Sequence, residues 1–106
     1  YSLAGLSAAW NNEAAFRQEL VLCAFLVPTA LWLGRNTAEQ SLLITTLFIV
    51  IITELLNSGI EAITDRVGTE RHELSGRAKD MASAAVFISL VLVISVWGLV
   101  VYSRFF

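Results

Sequence analysis

Three apolar stretches, parted by one short and one long polar segment, set the pattern of the chain. Leu20 to Leu33 carries no charge for 14 residues, Ser41 to Thr53 none for 13, and Met81 to Ser103 none for 23. A helix that crosses a bilayer needs about 20 apolar residues, so the third stretch is long enough by itself. The first reaches that length only with Glu19 and Arg35 snorkelling toward the interfaces, and its Pro28 is tolerable in a membrane helix. The second runs on to about Ile63 with polar side chains in its last turns. Spans are therefore predicted at about 20–34, 41–63 and 81–103. Ahead of them, Leu3, Leu6, Ala9, Trp10, Ala14 and Phe16 alternate with Asn12, Glu13, Arg17 and Gln18, the pattern of an amphipathic surface helix over about 1–19. Residues 34–40 read as a short turn. Residues 64–80 form the only long hydrophilic segment, a loop punctuated by Gly68 and Gly76.

Composition agrees. The chain has 106 residues, 57% of them hydrophobic, and a mean hydropathy of +0.71. That is one domain, 1–106, of an all-α membrane protein, and a soluble fold does not account for it. The net charge of -2 and the scattered Lys and Arg leave no footprint for nucleic acid. Cys23, alone in an apolar run, reads as a small packed hydrophobe and excludes an intrachain disulfide. No small-residue cleavage site is visible, and the chain opens at Tyr1 rather than Met, so further N-terminal residues are expected.

Charge also predicts orientation. Arg17, Arg66, Arg71, Arg77 and Lys79 fall on one side of the three spans, and Arg35 and Arg104 on the other. The positive-inside rule puts the 64–80 loop and the surface helix in the cytoplasm. Trp32 and Trp97 then lie near the outer ends of their spans, as belt anchors do.

The candidate chemistry lies at the cytoplasmic end of the second span. Glu54, Asn57, Glu61 and Asp65 recur at i, i+3, i+7 and i+11, one stripe of a helix. Ionisable groups at membrane depth are costly and mark function by default. Carboxylate and amide oxygens suit Mg²⁺, which takes one or two protein carboxylates and completes its shell with phosphate and water. A metal, a basic loop and a carboxylate that accepts a hydroxyl proton are the parts of phosphoryl transfer. Glu54, beyond 13 uncharged residues, is the carboxylate best placed to take a proton from a lipid alcohol. Asp65, Glu70 and Glu73 taken singly read equally well as solvated acids. Glu13 alone reads as an i,i+4 partner of Arg17, and His72 as a solvated loop residue rather than a metal ligand. Neither a P-loop nor a kinase catalytic loop is present, so any ATP site is unconventional.

Three segments carry a resemblance. Ala-Ala-Trp-Asn-Asn-Glu-Ala-Ala-Phe-Arg-Gln-Glu at 8–19, Glu-Leu-Leu-Asn-Ser-Gly-Ile-Glu-Ala-Ile-Thr-Asp-Arg at 54–66 and His-Glu-Leu-Ser-Gly-Arg-Ala-Lys-Asp-Met at 72–81 resemble the bacterial integral-membrane diacylglycerol kinase family. The resemblance implies a homotrimer of three-span subunits in the bacterial inner membrane. Active sites would be shared between subunits, and diacylglycerol would be phosphorylated to phosphatidic acid with ATP and Mg²⁺. It makes Glu54 the general base and gives Glu13 and Glu61 the metal. It assigns Tyr1, Glu13, Asn57, Glu61, Glu70, Arg71, His72, Lys79 and Asp80 to the nucleotide. Ala9, Trp10, Ala15, Arg17, Gln18, Glu19, Glu54 and Ser83 fall to the lipid substrate. Two features depart from the pattern. Arg71 stands where the family commonly has tyrosine, and an N-terminal basic residue associated with the site is missing.

Other readings stay open on the residues alone. An undecaprenol kinase of the same superfamily differs only in the alcohol accepted. A small proton-coupled multidrug transporter matches in length and intramembrane Glu but needs four spans, and a purely structural trimer leaves Glu54 unexplained.

Overall fold

The computed structural model describes residues 1–67 and 73–106. The described residues form four α-helices and no strand: α1 (Ser2–Asn12), α2 (Ala14–Leu33), α3 (Thr37–Val67) and α4 (Glu73–Phe105). Of these, α2, α3 and α4 are long and apolar enough to cross a membrane. At about 1.5 Å per residue the 33 residues of α4 span roughly 50 Å. The molecule is 52 Å in its longest dimension, so the helices run along it.

The helices outrun the apolar stretches that predict them. The third helix continues to Val67 and the fourth starts at Glu73, so most of the hydrophilic 64–80 segment extends the spans as helix. Ala, Glu, Arg and Lys are strong helix formers, and polarity in such a segment moves the helix out of lipid without ending it. The first nineteen residues differ too. They form two helices parted at Glu13, whose backbone is extended at φ -120°, ψ 106°. The break leaves the last carbonyls of α1 without helical partners. The Glu13 N–H donates to the Ala9 carbonyl at 2.9 Å, and the Arg17 guanidinium donates to the Trp10 carbonyl at 2.7 Å. That puts a cation at the negative end of the α1 dipole.

The central element is α3, which packs against both α2 and α4 while those two barely touch. Its buried residues Leu43, Thr46, Leu47 and Val50 follow helical spacing on one stripe. At the Gly34 end all three long helices meet around Ala30, Leu33, Leu43 and Val100. Polar bonds close this end. The Arg104 guanidinium donates to the carbonyls of Trp32 and Leu33 and lies 4.6 Å from the Trp32 ring centroid. Arg35 donates to Ser103 and pairs with Glu39 at 2.8 Å. Trp32 is exposed, as an interfacial anchor must be. Trp97 turns inward instead, and its indole N–H donates to the Thr46 hydroxyl at 3.1 Å. The indole is half-buried, and its N–H finds an acceptor inside the bundle as a desolvated donor requires.

The turn between α2 and α3 depends on a close approach at Gly34. A Cβ there would lie 2.6 Å from Gln40 Cγ and 2.7 Å from the Gln40 backbone nitrogen. Gln40 in turn donates its side-chain amide to the Leu31 carbonyl. Gly34→Ala is expected to lower stability by about 1–3 kcal/mol, the range for a forced backbone shift. Unfolding by denaturant in detergent micelles, against the parent chain, measures it.

Candidate active site

Glu54 is the point at which the core stripe of α3 changes chemistry. Leu43, Thr46, Leu47 and Val50 are buried, and the next position on the stripe is a carboxyl group only 7% exposed. Asn57 and Glu61 continue the line half-buried, and Asp65 is exposed at its end. The helical spacing that lines up apolar knobs therefore lines up the acids.

Other elements bring further groups to this place. Glu19, in the second turn of α2, faces Glu54 with the two carboxyl groups within hydrogen-bonding reach. The Glu19 Oε2 atom is shut off from solvent and has no hydrogen-bond partner. Glu13, at the break between α1 and α2, and Glu61 both lie near enough for Glu54 to feel their charge. Behind Glu54, the Thr53 hydroxyl donates to Ser89 of α4 at 3.1 Å and fixes that side of the helix. One turn on, the Asn57 side-chain N–H donates to Glu61 Oε1 at 3.4 Å, which leaves Asn57 Oδ1 buried without a partner. Lys79 of α4 pairs with Asp65 and lies within electrostatic range of Glu61.

Cation-binding capacity is partial. Among the described residues no three His, Cys, Asp or Glu side chains converge closely enough to hold a metal ion by themselves. A Mg²⁺ ion that brings phosphate oxygens with it needs only one or two protein carboxylates. The unpartnered Asn57 Oδ1 beside Glu61 supplies the hard oxygen donors such an ion prefers.

Two hollows border α1. Between α1 and α3 lies a groove of about 710 Å³ walled by Gly5, Ala8, Ala9, Ser58, Gly59 and Ala62, with Glu13 also in its wall. A separate hollow of about 680 Å³ is lined by Trp10, Arg17, Gln18, Val21, Leu22 and Phe25. Of the residues assigned to lipid, Ala9 thus lies in the first hollow, while Trp10, Arg17 and Gln18 lie in the second. Tyr1, Ala15, Asp80 and Ser83 are exposed. Glu70, Arg71 and His72 lie outside the described residues.

A family model, prokaryotic diacylglycerol kinase, matches residues 1–101. The chain belongs to that family. A diacylglycerol kinase of Escherichia coli (strain K12) is 51% identical over 105 residues, covering 99% of this chain and 86% of its own. One of Haemophilus influenzae is 53% identical over 98 residues, covering 92% and 83%. One of Pseudomonas aeruginosa is 49% identical over 98 residues, covering 92% and 80%. Membership makes the chain an ATP-dependent lipid kinase of the diacylglycerol class. The multidrug-transporter reading falls with it.

The stripe on α3 was legible from spacing, but two features were not. Spacing within one helix does not reveal that Glu19 meets Glu54, because the pairing crosses from α2 to α3. The Thr53–Ser89 bond likewise links residues 36 apart in sequence. Lys79 and Asp65 are both substantially exposed, and an ion pair in that setting is worth at most about 1 kcal/mol. Asp65→Asn should therefore shift the unfolding free energy by less than about 1 kcal/mol. Denaturant titration in micelles checks it.

Proposed function

We propose that this chain transfers the γ-phosphoryl group of ATP to the free hydroxyl of diacylglycerol, giving phosphatidic acid, with Glu54 as the general base. The observation that carries this reading is the buried Glu54 on the core stripe of α3, with three further carboxyl groups around it. The hydroxyl oxygen forms the new bond to the γ-phosphorus, its proton passes to the Glu54 carboxylate, and the bond from that phosphorus to the bridging oxygen breaks as ADP leaves. Held by Glu13 and Glu61, Mg²⁺ would neutralise charge on the phosphate oxygens. Asn57 supports that position through its bond to Glu61. Tyr1, Glu70, Arg71, His72, Lys79 and Asp80 hold the nucleotide in this reading. Ala9, Trp10, Ala15, Arg17, Gln18, Glu19 and Ser83 hold the lipid.

The setting belongs to the proposal as well. The distribution of Lys and Arg favours an active site on the cytoplasmic face of the bacterial inner membrane, where ATP is available. The helix α1 lies on that surface with its apolar positions inward. The chain works as a homotrimer whose sites draw on neighbouring subunits. Large apolar side chains along α2 and α4, among them Phe25, Leu31, Phe87, Ile88 and Ile94, are exposed and suit contact with lipid or a second copy.

The deciding assay is transfer of label from ATP in mixed micelles containing diacylglycerol or undecaprenol. Label is expected in diacylglycerol, and label in neither lipid would refute the reading. Glu54→Gln is expected to lower kcat at least about a hundredfold while nucleotide binding is retained. Loss of Mg²⁺-dependent ATP binding in that variant would instead make Glu54 a ligand. For Glu61→Gln the expected change is different. The Mg²⁺ concentration giving half-maximal rate rises about tenfold or more, in line with the loss of a carboxylate contact worth at least about 1.4 kcal/mol.

A further inference from the structure

Glu19 has no use in the chemistry so far except as one of several lipid contacts, yet its surroundings are unlike those of the others. Its carboxyl group is turned into the seam between α2 and α3, with Oε2 closed off from water and bonded to nothing. Across the seam it meets Glu54, itself 7% exposed, at hydrogen-bonding distance. Among the described residues neither acid has a cationic partner. The ion pairs found there join Arg35 to Glu39, Arg77 to Glu73 and Lys79 to Asp65, and the nearby Arg17 donates to the Trp10 carbonyl. Beyond the pair the seam is apolar, walled by Leu20, Cys23, Val27, Leu47 and Ile51.

Burying a carboxyl group without a partner is costly, and a hydrogen bond between two carboxyl groups exists only when one proton lies between them. The bond fixes the rotation of both side chains, because each is on a helix that cannot shift independently of the packed seam. We propose that Glu19 is a positioning residue for Glu54: its carboxyl group donates to Glu54 across the α2–α3 seam and aims the remaining oxygen of Glu54 at the acceptor hydroxyl. This rests on Glu54 being the general base. In the transfer step the acceptor proton goes to that free oxygen, the pair then carries two protons, and one leaves to water after phosphatidate departs.

The role separates from lipid contact and from plain packing by what each variant does. Glu19→Ala, Glu19→Gln, Glu19→Asp and Glu54→Gln are compared in mixed micelles for kcat, for KM of diacylglycerol and of MgATP, and for unfolding midpoint. A positioning role predicts that Glu19→Ala lowers kcat about tenfold to a hundredfold, the cost of a misaimed group, with the KM of MgATP within about twofold. Glu19→Gln keeps reach and an N–H donor, so it restores kcat to within about fivefold of the parent. Glu19→Asp keeps the acid but not the reach. It is expected to fall about tenfold below Glu19→Gln, a comparison that stands even if the alanine variant fails to assemble. A raised KM for diacylglycerol at unchanged kcat would make Glu19 a lipid contact only. Gln no better than Ala, Asp equal to the parent, or kcat losses that track the unfolding midpoint would each overturn the proposal. Glu54→Gln distinguishes the two levels. If it turns over normally, the base assignment has failed; if it is inactive while Glu19→Ala is unaffected, only the positioning role has failed.

Discussion

A carboxyl group in the packed face of a membrane helix is the constraint around which this molecule is arranged. Glu54 takes the position on α3 that helical periodicity would give to a fifth core residue after Leu43, Thr46, Leu47 and Val50. Every apolar neighbour there raises the cost of its charge. Glu13 and Glu61, within electrostatic range, add to that cost, and Glu19 across the seam offsets part of it through a carboxyl–carboxyl hydrogen bond. The Thr53–Ser89 bond holds the helix in place behind the group. Replacing Glu54 by leucine would make a better core and remove the acid proposed as the base.

The two ends of the bundle divide the work. At the Gly34 end the helices are shut by an apolar cluster, by Arg104 on two α2 carbonyls, by Arg35 on Ser103 and by the tight approach of Gly34 to Gln40. Among the described residues no comparable cluster closes the acid end, where the contacts include a carboxyl–carboxyl pair and an exposed Lys79–Asp65 pair beside a groove under α1. Stability at one end permits openness at the other, which a site that admits both a nucleotide and a lipid requires.

How far this was legible follows from which interactions are local. The number of long helices, the acidic stripe on α3 and the family all lie in contiguous segments, and the sequence displays them directly. Helix ends were less legible, since Ala, Lys and Glu between 64 and 80 prolong a helix whether or not lipid surrounds it. The turn of Trp97 toward Thr46 and the pairing of Glu19 with Glu54 were not legible. Both join different helices, and no periodicity within one helix encodes which residue of the next will face it.

The break at Glu13 shows how closely backbone and chemistry are tied. A helix unbroken from Ser2 to Leu33 would be a rod of about 48 Å at 1.5 Å per residue, and α1 would then extend away from α3 along the axis of α2. Extended backbone at one residue turns the chain so that Gly5, Ala8 and Ala9 face Ser58, Gly59 and Ala62 across the groove. Small residues on both walls keep the groove open, and no atom comes within 4 Å of a Cβ built on Gly5 or Gly59. The residue at the turn is itself an acid within electrostatic range of Glu54. A substitution at Glu13 therefore acts on two things at once, the charge near the base and the joint that sets α1 over α3. Only a change that keeps the backbone preference, such as Glu13→Gln, can separate them.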